Sequence, residues 1–202
     1  MTAPNGQGLS RGRFIAGAAG AVGIVTAGGL VGAELLSGQG DSSSLVDATP
    51  LALALALERL QVAFYAEAVS AGALDGELLE FATTVRDHEA EHVRLIAPLV
   101  TEASEEPAYD FGGDTSDPEA FGANAAKLED LAVSAYNGLI PGLSDRGLAV
   151  TSRIVSVDAR HAAWVRAILG RDPAAAATDR ALDADQVVKR IQATGYLREA
   201  TP

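Results

Sequence analysis

From residue 49 to residue 170 the hydrophobic positions fall into four long runs with helical spacing, separated by short polar or glycine-containing breaks. The first run opens on LALALALERL (51–60), which alternates with the period of a strand. Leucine and alanine are strong helix formers, and the apolar stretch continues past 15 residues. It therefore reads as a helix over about 49–71 that stops at Gly72. A second helix is expected over about 75–100, which Pro98 should kink or end. SEEPAYDFGGDTSDP (104–118) is a polar connector. Asp117 before Pro118 has the form of a cap and first helical position, predicting a third helix over 118–139 that stops near Pro141-Gly142. The fourth is expected to begin after Gly147 and to finish at Gly170. A short fifth covers about 183–194 and is closed by Gly195. No stretch of this part demands a strand, so the expectation is an all-α fold.

The helices repeat in pairs. Glu58 is followed by Tyr65 seven residues on, and Glu129 by Tyr136 at the same distance. Glu89 precedes His92 by three residues, and Asp158 precedes His161 by three. The four offsets between the halves are 71, 71, 69 and 69 residues, which a duplicated helix pair explains most simply. Each acid also lies on an apolar seam: Leu51, Leu55, Glu58, Val62, Tyr65 and Val69 in the first helix, and Ala82, Val85, Glu89, His92, Ile96 and Leu99 in the second. The third gives Ala125, Glu129, Ala132 and Tyr136, and the fourth Ile154, Asp158, His161, Val165 and Ile168. Those are core positions of a helix bundle. A lone buried carboxylate costs several kcal/mol or takes up a proton, so four of them call for shared cations. Two divalent metals balance four carboxylates.

Composition narrows the chemistry. The chain has no cysteine, which excludes disulfides, thiolate zinc sites, iron–sulfur clusters and cysteine nucleophiles. A net charge of −12 over 202 residues excludes nucleic acid as an expected partner and suits carboxylates gathered around cations. Arg11 and Arg13 precede an uncharged run over 14–33 that contains six glycines, and SGQGDSSS (37–44) follows as a flexible linker. A basic start, an apolar run and small residues near Ala33 describe an export signal over 1–33, with 34–47 as linker. SRGRFI (10–15) resembles a twin-arginine signal with Gly12 in place of the second consecutive arginine. An uncleaved membrane anchor is the alternative, because 20 residues can just span a bilayer. Both place the domain outside the cytoplasm.

HEAEH (88–92) admits two incompatible chemistries. As H-E-x-x-H, His88 and His92 would hold zinc and Glu89 would act as the general base of a peptidase. As E-x-x-H, Glu89 and His92 would be ligands inside a bundle, and His88 would stand at the site's edge or in solvent. The peptidase reading leaves Glu58, Glu129, Asp158 and His161 unexplained. Trp164 is expected to pack; Arg94, Arg160 and Arg166 are expected on solvated faces, with Arg160 able to pair an acid near the site. Glu105, Glu106 and Asp110 are expected in a solvated loop.

The doubled E-x6-Y and E-x-x-H pattern resembles the ligand signature of the ferritin-like superfamily, which includes rubrerythrin-type and manganese-catalase-type proteins. ALERLQVAFYAEAV (56–69), VRDHEAEHVRLI (85–96), LEDLAVSAYNG (128–138) and VDARHAAWVRAI (157–168) are similar to bacterial ferritin-like proteins related to plant desiccation-related proteins. The resemblance implies an antiparallel four-helix bundle over 48–170, with 104–118 as its long crossover and 171–202 as an extension. It further implies two divalent metals, iron or manganese, held by Glu58, Glu89, His92, Glu129, Asp158 and His161, with Tyr65 and Tyr136 orienting the carboxylates or carrying redox equivalents. Asp158 stands where the family pattern has glutamate, one methylene longer, which leaves a half-filled or mononuclear site open. Two functions follow as expectations. One is an exported oxidoreductase or metal-handling protein reacting with dioxygen or peroxide in stress protection; the other is a metal-poor scaffold, related to stress or desiccation, on the same fold. Its catalytic residues are left undetermined; metal ions are the expected partners, an oligomer is possible, and the N-terminal segment could reach a membrane.

Overall fold

Leucine and alanine at 51–60 make a helix, as their propensities require against the strand-like alternation. The computed structural model describes residues 50–100 and 107–198, so the expected export segment, the linker, Glu105 and Glu106 lie outside the described residues. The helices are α1 (Pro50–Ala71), α2 (Gly76–Ile96), α3 (Pro118–Leu139), α4 (Asp145–Ile168) and α5 (Ala184–Ala193). Helix α2 gives way at Pro98 to a single tight turn over Ala97–Leu99, earlier than the expected end at residue 100. Helix α4 corrects a second boundary, since it begins before Gly147 rather than after it. Ser144 accepts a hydrogen bond from the Gly147 backbone N–H, and Asp145 supplies the acidic first turn. Gly147 is thus buried inside the helix, where a Cβ would stand 3.5 Å from Leu51.

Chain direction follows from side-chain pairing. Tyr65 of α1 reaches Glu129 of α3, while Tyr136 of α3 reaches Glu58 of α1, so these helices are antiparallel. Glu89 faces His161 and His92 faces Asp158, which makes α2 and α4 antiparallel too. The short 72–75 loop turns α1 back into α2, so α2 and α3 run the same way. Helix α3 is ~33 Å long at 1.5 Å per residue. Helix α1 packs on α2, α3 on α4, α1 on α3 and α2 on α4.

The connector is less polar in effect than in composition. Phe111 is buried edge-on against Phe64 and Tyr196, and Phe64 stacks on Phe121 at 5.4 Å. One aromatic cluster thereby clamps the connector and the C-terminal extension to α1 and α3. Among the described residues the extended backbone forms one antiparallel bridge, Tyr109 to Leu197. The extension is also fixed on α3, where Leu182 N–H donates to the Ser134 carbonyl at 2.9 Å. A Cβ on Gly138 would lie 1.7 Å from the Leu182 carbonyl oxygen, so only glycine permits that approach. Among the described residues no helix is long and apolar enough to cross a membrane.

Candidate metal centre

The six residues singled out by the repeat converge at the centre of the bundle. Glu58, Glu89, Glu129 and Asp158 are at most 1% exposed, and His92 and His161 at most 5%. Helical spacing explains the pairing on α2 and α4: residues three apart share a face, so each acid and its histidine point the same way. Nδ1 of His92 lies 2.9 Å from Glu89 Oε2 and 3.3 Å from Glu58 Oε2. Nδ1 of His161 lies 3.1 Å from Glu89 Oε1 and 3.4 Å from Glu129 Oε2. Glu89 thus stands between the histidines with one oxygen toward each. Asp158 occupies the facing position, its Oδ1 3.5 Å from His92 and 4.0 Å from His161.

These donors form two groups with metal-ligand spacing: Glu89, Glu129, Asp158 and His161, and Glu58, His92 and Asp158. Asp158 belongs to both, so its missing methylene does not keep it from the centre.

Several ligand atoms at the centre have no hydrogen-bond partner. Glu89 Oε1, Glu129 Oε2, both oxygens of Asp158 and Nδ1 of His161 are buried without a hydrogen-bond partner. His161 Nδ1 is near Glu89 Oε1 but off the line of a hydrogen bond. Orphaned oxygens and an imidazole nitrogen facing one another, with no thiolate, are what a pair of hard or borderline cations would satisfy. The donor set fits such metals.

Electrostatics point the same way. Burial pushes Glu58 and Asp158 well above the ordinary carboxylate range, with the charge of Glu89 adding to Glu58 and that of Glu58 adding to Asp158. Burial also raises Glu89. Burial by itself would lower His161, but the adjacent Glu129 and Glu89 carboxylates outweigh it and hold the imidazole up at about 9. Metal-free, the cluster gathers protons that bound cations would displace.

The tyrosines act across the bundle. Tyr65 donates to Glu129 Oε1 at 2.5 Å, and Tyr136 donates to Glu58 Oε1. Burial, with the charge of the facing glutamate, raises both phenols well above their usual value, so they remain donors. Gln61 is a further member that the seam reading left out, its amide donating to Glu129 Oε1 at 3.0 Å. The buried face of α1 is rotated toward Leu57, Gln61, Phe64 and Ala68, leaving Leu51, Val62 and Val69 only half-buried. The spacing of Gln61, three residues after Glu58 and four before Tyr65, places an amide on this face, but only packing shows that it is buried.

The model of the ferritin-like domain matches residues 46–171. The chain belongs to the ferritin-like family. No curated protein matches it significantly. In the ferritin-like bundle the two histidines of HEAEH are placed differently. His88 is exposed and joins neither metal group, while Glu89, the would-be peptidase base, sits between the histidines of the centre. His88 is nevertheless not free: its Nδ1 lies 2.9 Å from Nε2 of His161. Burial and then the neighbouring His161 lower its pKa.

Residues outside the centre fall as follows. Trp164 packs edge-on against Phe81 and donates to Glu77 at 3.0 Å. Arg94 pairs with Glu91 on the surface, and Arg160 donates to the Ser156 carbonyl instead of to an acid. Arg166 departs from the expected solvated face, because it is half-buried and bridges α4 to Asp130 of α3. Asp110 is exposed and pairs with Arg198 at 2.7 Å. A groove of about 540 Å³ lies between α3, α4 and the 173–182 segment, and none of the six central residues lines it.

Proposed function

We propose that this ferritin-like protein holds two metal ions at the centre of its bundle. Glu58 and His92 serve one position, Glu129 and His161 the other, and Glu89 and Asp158 are shared between them. The observation that carries this reading is the set of buried, unpartnered donors on Glu89, Glu129, Asp158 and His161, which face one another and which no hydrogen bond satisfies. Oxygen and imidazole donors without sulfur favour iron or manganese. Such metals would supply redox chemistry with dioxygen or peroxide, and the chain would act as an oxidoreductase or metal-handling protein in stress protection, exported by its N-terminal segment. The protein's own residues bind and orient. Tyr136 fixes Glu58, Tyr65 and Gln61 fix Glu129, and the surrounding leucines and aromatics exclude water.

The test is metal content of full-length protein purified without chelator, with melting measured before and after chelator. Bound metal stabilises the folded state by ~4 kcal/mol when it is a thousandfold above its Kd, so chelation should lower the melting temperature. The metal-poor scaffold is the competing reading, and it draws on the hydrogen bond between His92 Nδ1 and Glu89 Oε2, through which a proton can neutralise part of the cluster. Protein without metal, whose melting ignores both chelator and added metal, decides for the scaffold.

A further inference from the structure

The two halves of the repeat do not treat their histidines alike. His161 faces the shared carboxylates through Nδ1, so a metal would be bound there and the neutral ring must carry its hydrogen on Nε2. Nε2 points outward and meets Nδ1 of His88 at 2.9 Å. The ring centres are 5.2 Å apart with planes inclined by 19°, a separation that the 2.9 Å contact and the two ring radii account for almost entirely. The imidazoles therefore lie end to end and nearly coplanar, not face to face, which is the alignment an in-plane N–H···N bond needs. In the metal-bearing state His161 donates from Nε2 and His88 accepts at Nδ1, which fixes the tautomer of both rings.

Among the described residues nothing equivalent serves His92. The position matching His88 in the second half, 69 residues on, is Val157, whose side chain accepts no hydrogen bond. Among the described residues no side chain meets Nε2 of His92. Gln61 adds to the asymmetry, since it donates to Glu129 while its counterpart 71 residues on is Ala132. Both additions come from the first half, and both act on ligands contributed by the second.

We infer that His88 is a positioning residue that locks the ring of His161 and so makes the Glu129–His161 metal position distinct from the Glu58–His92 position. This rests on the two-metal reading above. Partners on the far nitrogen of a ligating histidine are typically worth 10- to 100-fold in metal affinity. His88 is on the surface of α2, so replacing it leaves the core intact.

The experiment is a titration of metal-free, full-length protein with Co(II), followed by absorption, for wild type, His88→Leu and His88→Gln. Wild type is expected to take up two Co(II) per chain. His88→Leu, which has no acceptor, should weaken one step by about 10- to 100-fold and alter its spectrum, leaving the other step unchanged. His88→Gln, whose amide oxygen can accept, should recover most of that loss. In a His161→Ala background, His88→Leu should have no effect on the remaining step. Wild type with two sites that His88→Leu leaves untouched, equal weakening of both steps, or no rescue by glutamine overturns this inference alone. Wild type that binds no Co(II) overturns the two-metal reading, and this inference falls with it.

Discussion

Glu58–Tyr65 with Glu89–His92 and Glu129–Tyr136 with Asp158–His161 are two copies of one helix pair, yet the first copy carries more of the construction. It supplies the longer shared carboxylate, Glu89 against Asp158. Beyond the reciprocal tyrosine bonds, it also lends Gln61 and His88 to the ligands of the second, which among the described residues lends no further side chain back. A duplicated motif guarantees matching donors, but it does not guarantee matching surroundings. The fit of each proposed metal position would depend on which neighbours the antiparallel packing places behind the donors.

Removing Glu89 should have the largest effect, because it faces both histidines. Glu89→Ala is expected to empty both positions and to abolish the response of melting to chelator, as metal analysis and calorimetry would show. Metal-free, the same variant should melt no lower than wild type, since it relieves repulsion among raised, buried carboxylates. A variant that keeps both metals would break the account of Glu89 as shared. His92→Ala and His161→Ala should each leave one metal, in contrast to the double loss. Equal loss of both metals from either variant would mean that the halves form one inseparable site.

The metal-free protein should respond to pH through His161. Its folded value of about 9 lies above the ordinary 6.5, so the folded state binds the proton more tightly than the unfolded chain. That stabilisation is complete below pH 6.5 and is lost as pH rises through about 9. The raised carboxylates act in the same direction from their ordinary range upward. Melting of chelated protein should therefore fall across this window, whereas metal affinity should rise as the ligands lose their protons. Chelated protein that is most stable in alkali would contradict the raised values.

Asp158→Glu tests the difference between the shared carboxylates. Asp158 already joins both metal groups, so the variant should keep two metals. Its extra methylene enters a fully buried site and should cost the metal-free fold ~1–3 kcal/mol in denaturant titration. Loss of a metal would show that aspartate is required there. The smallest effect should come from the tyrosines. Tyr136→Phe and Tyr65→Phe each remove one hydrogen bond, worth ~0.5–1.5 kcal/mol. Among the described residues Glu129 keeps the Gln61 hydrogen bond when Tyr65 is lost, whereas Glu58 keeps only its hydrogen bond with His92, so Tyr136→Phe should be the more costly. Equal costs would remove Gln61 from the explanation.

Much of this molecule is written locally. Asp117-Pro118 starts α3 where capping chemistry says it should, and Gly72 ends α1 in a left-handed turn at φ 68°. The constant offsets between the repeated acids, tyrosines and histidines identify six central residues, because buried carboxylates are conspicuous on an apolar seam. Other features were not legible from spacing. On an Ala- and Leu-rich helix almost any face can be drawn as apolar, and only the packing of α2 and α3 shows that Gln61 faces inward. The connector looked solvated because most of its residues are polar, although Phe111 anchors it to Phe64 and Tyr196.

The sequence by itself determined the helices, the duplication and the identity of the central donors, because these depend on propensity, capping and period within a single segment. Tertiary structure alone decided the relations across segments. Antiparallel packing of α1 with α3 assigns each tyrosine to the other helix's glutamate, and that of α2 with α4 brings His88 to His161. Residues separated by 73 positions meet only because four helices bury their seams against one another, and no local pattern encodes which nitrogen then faces which.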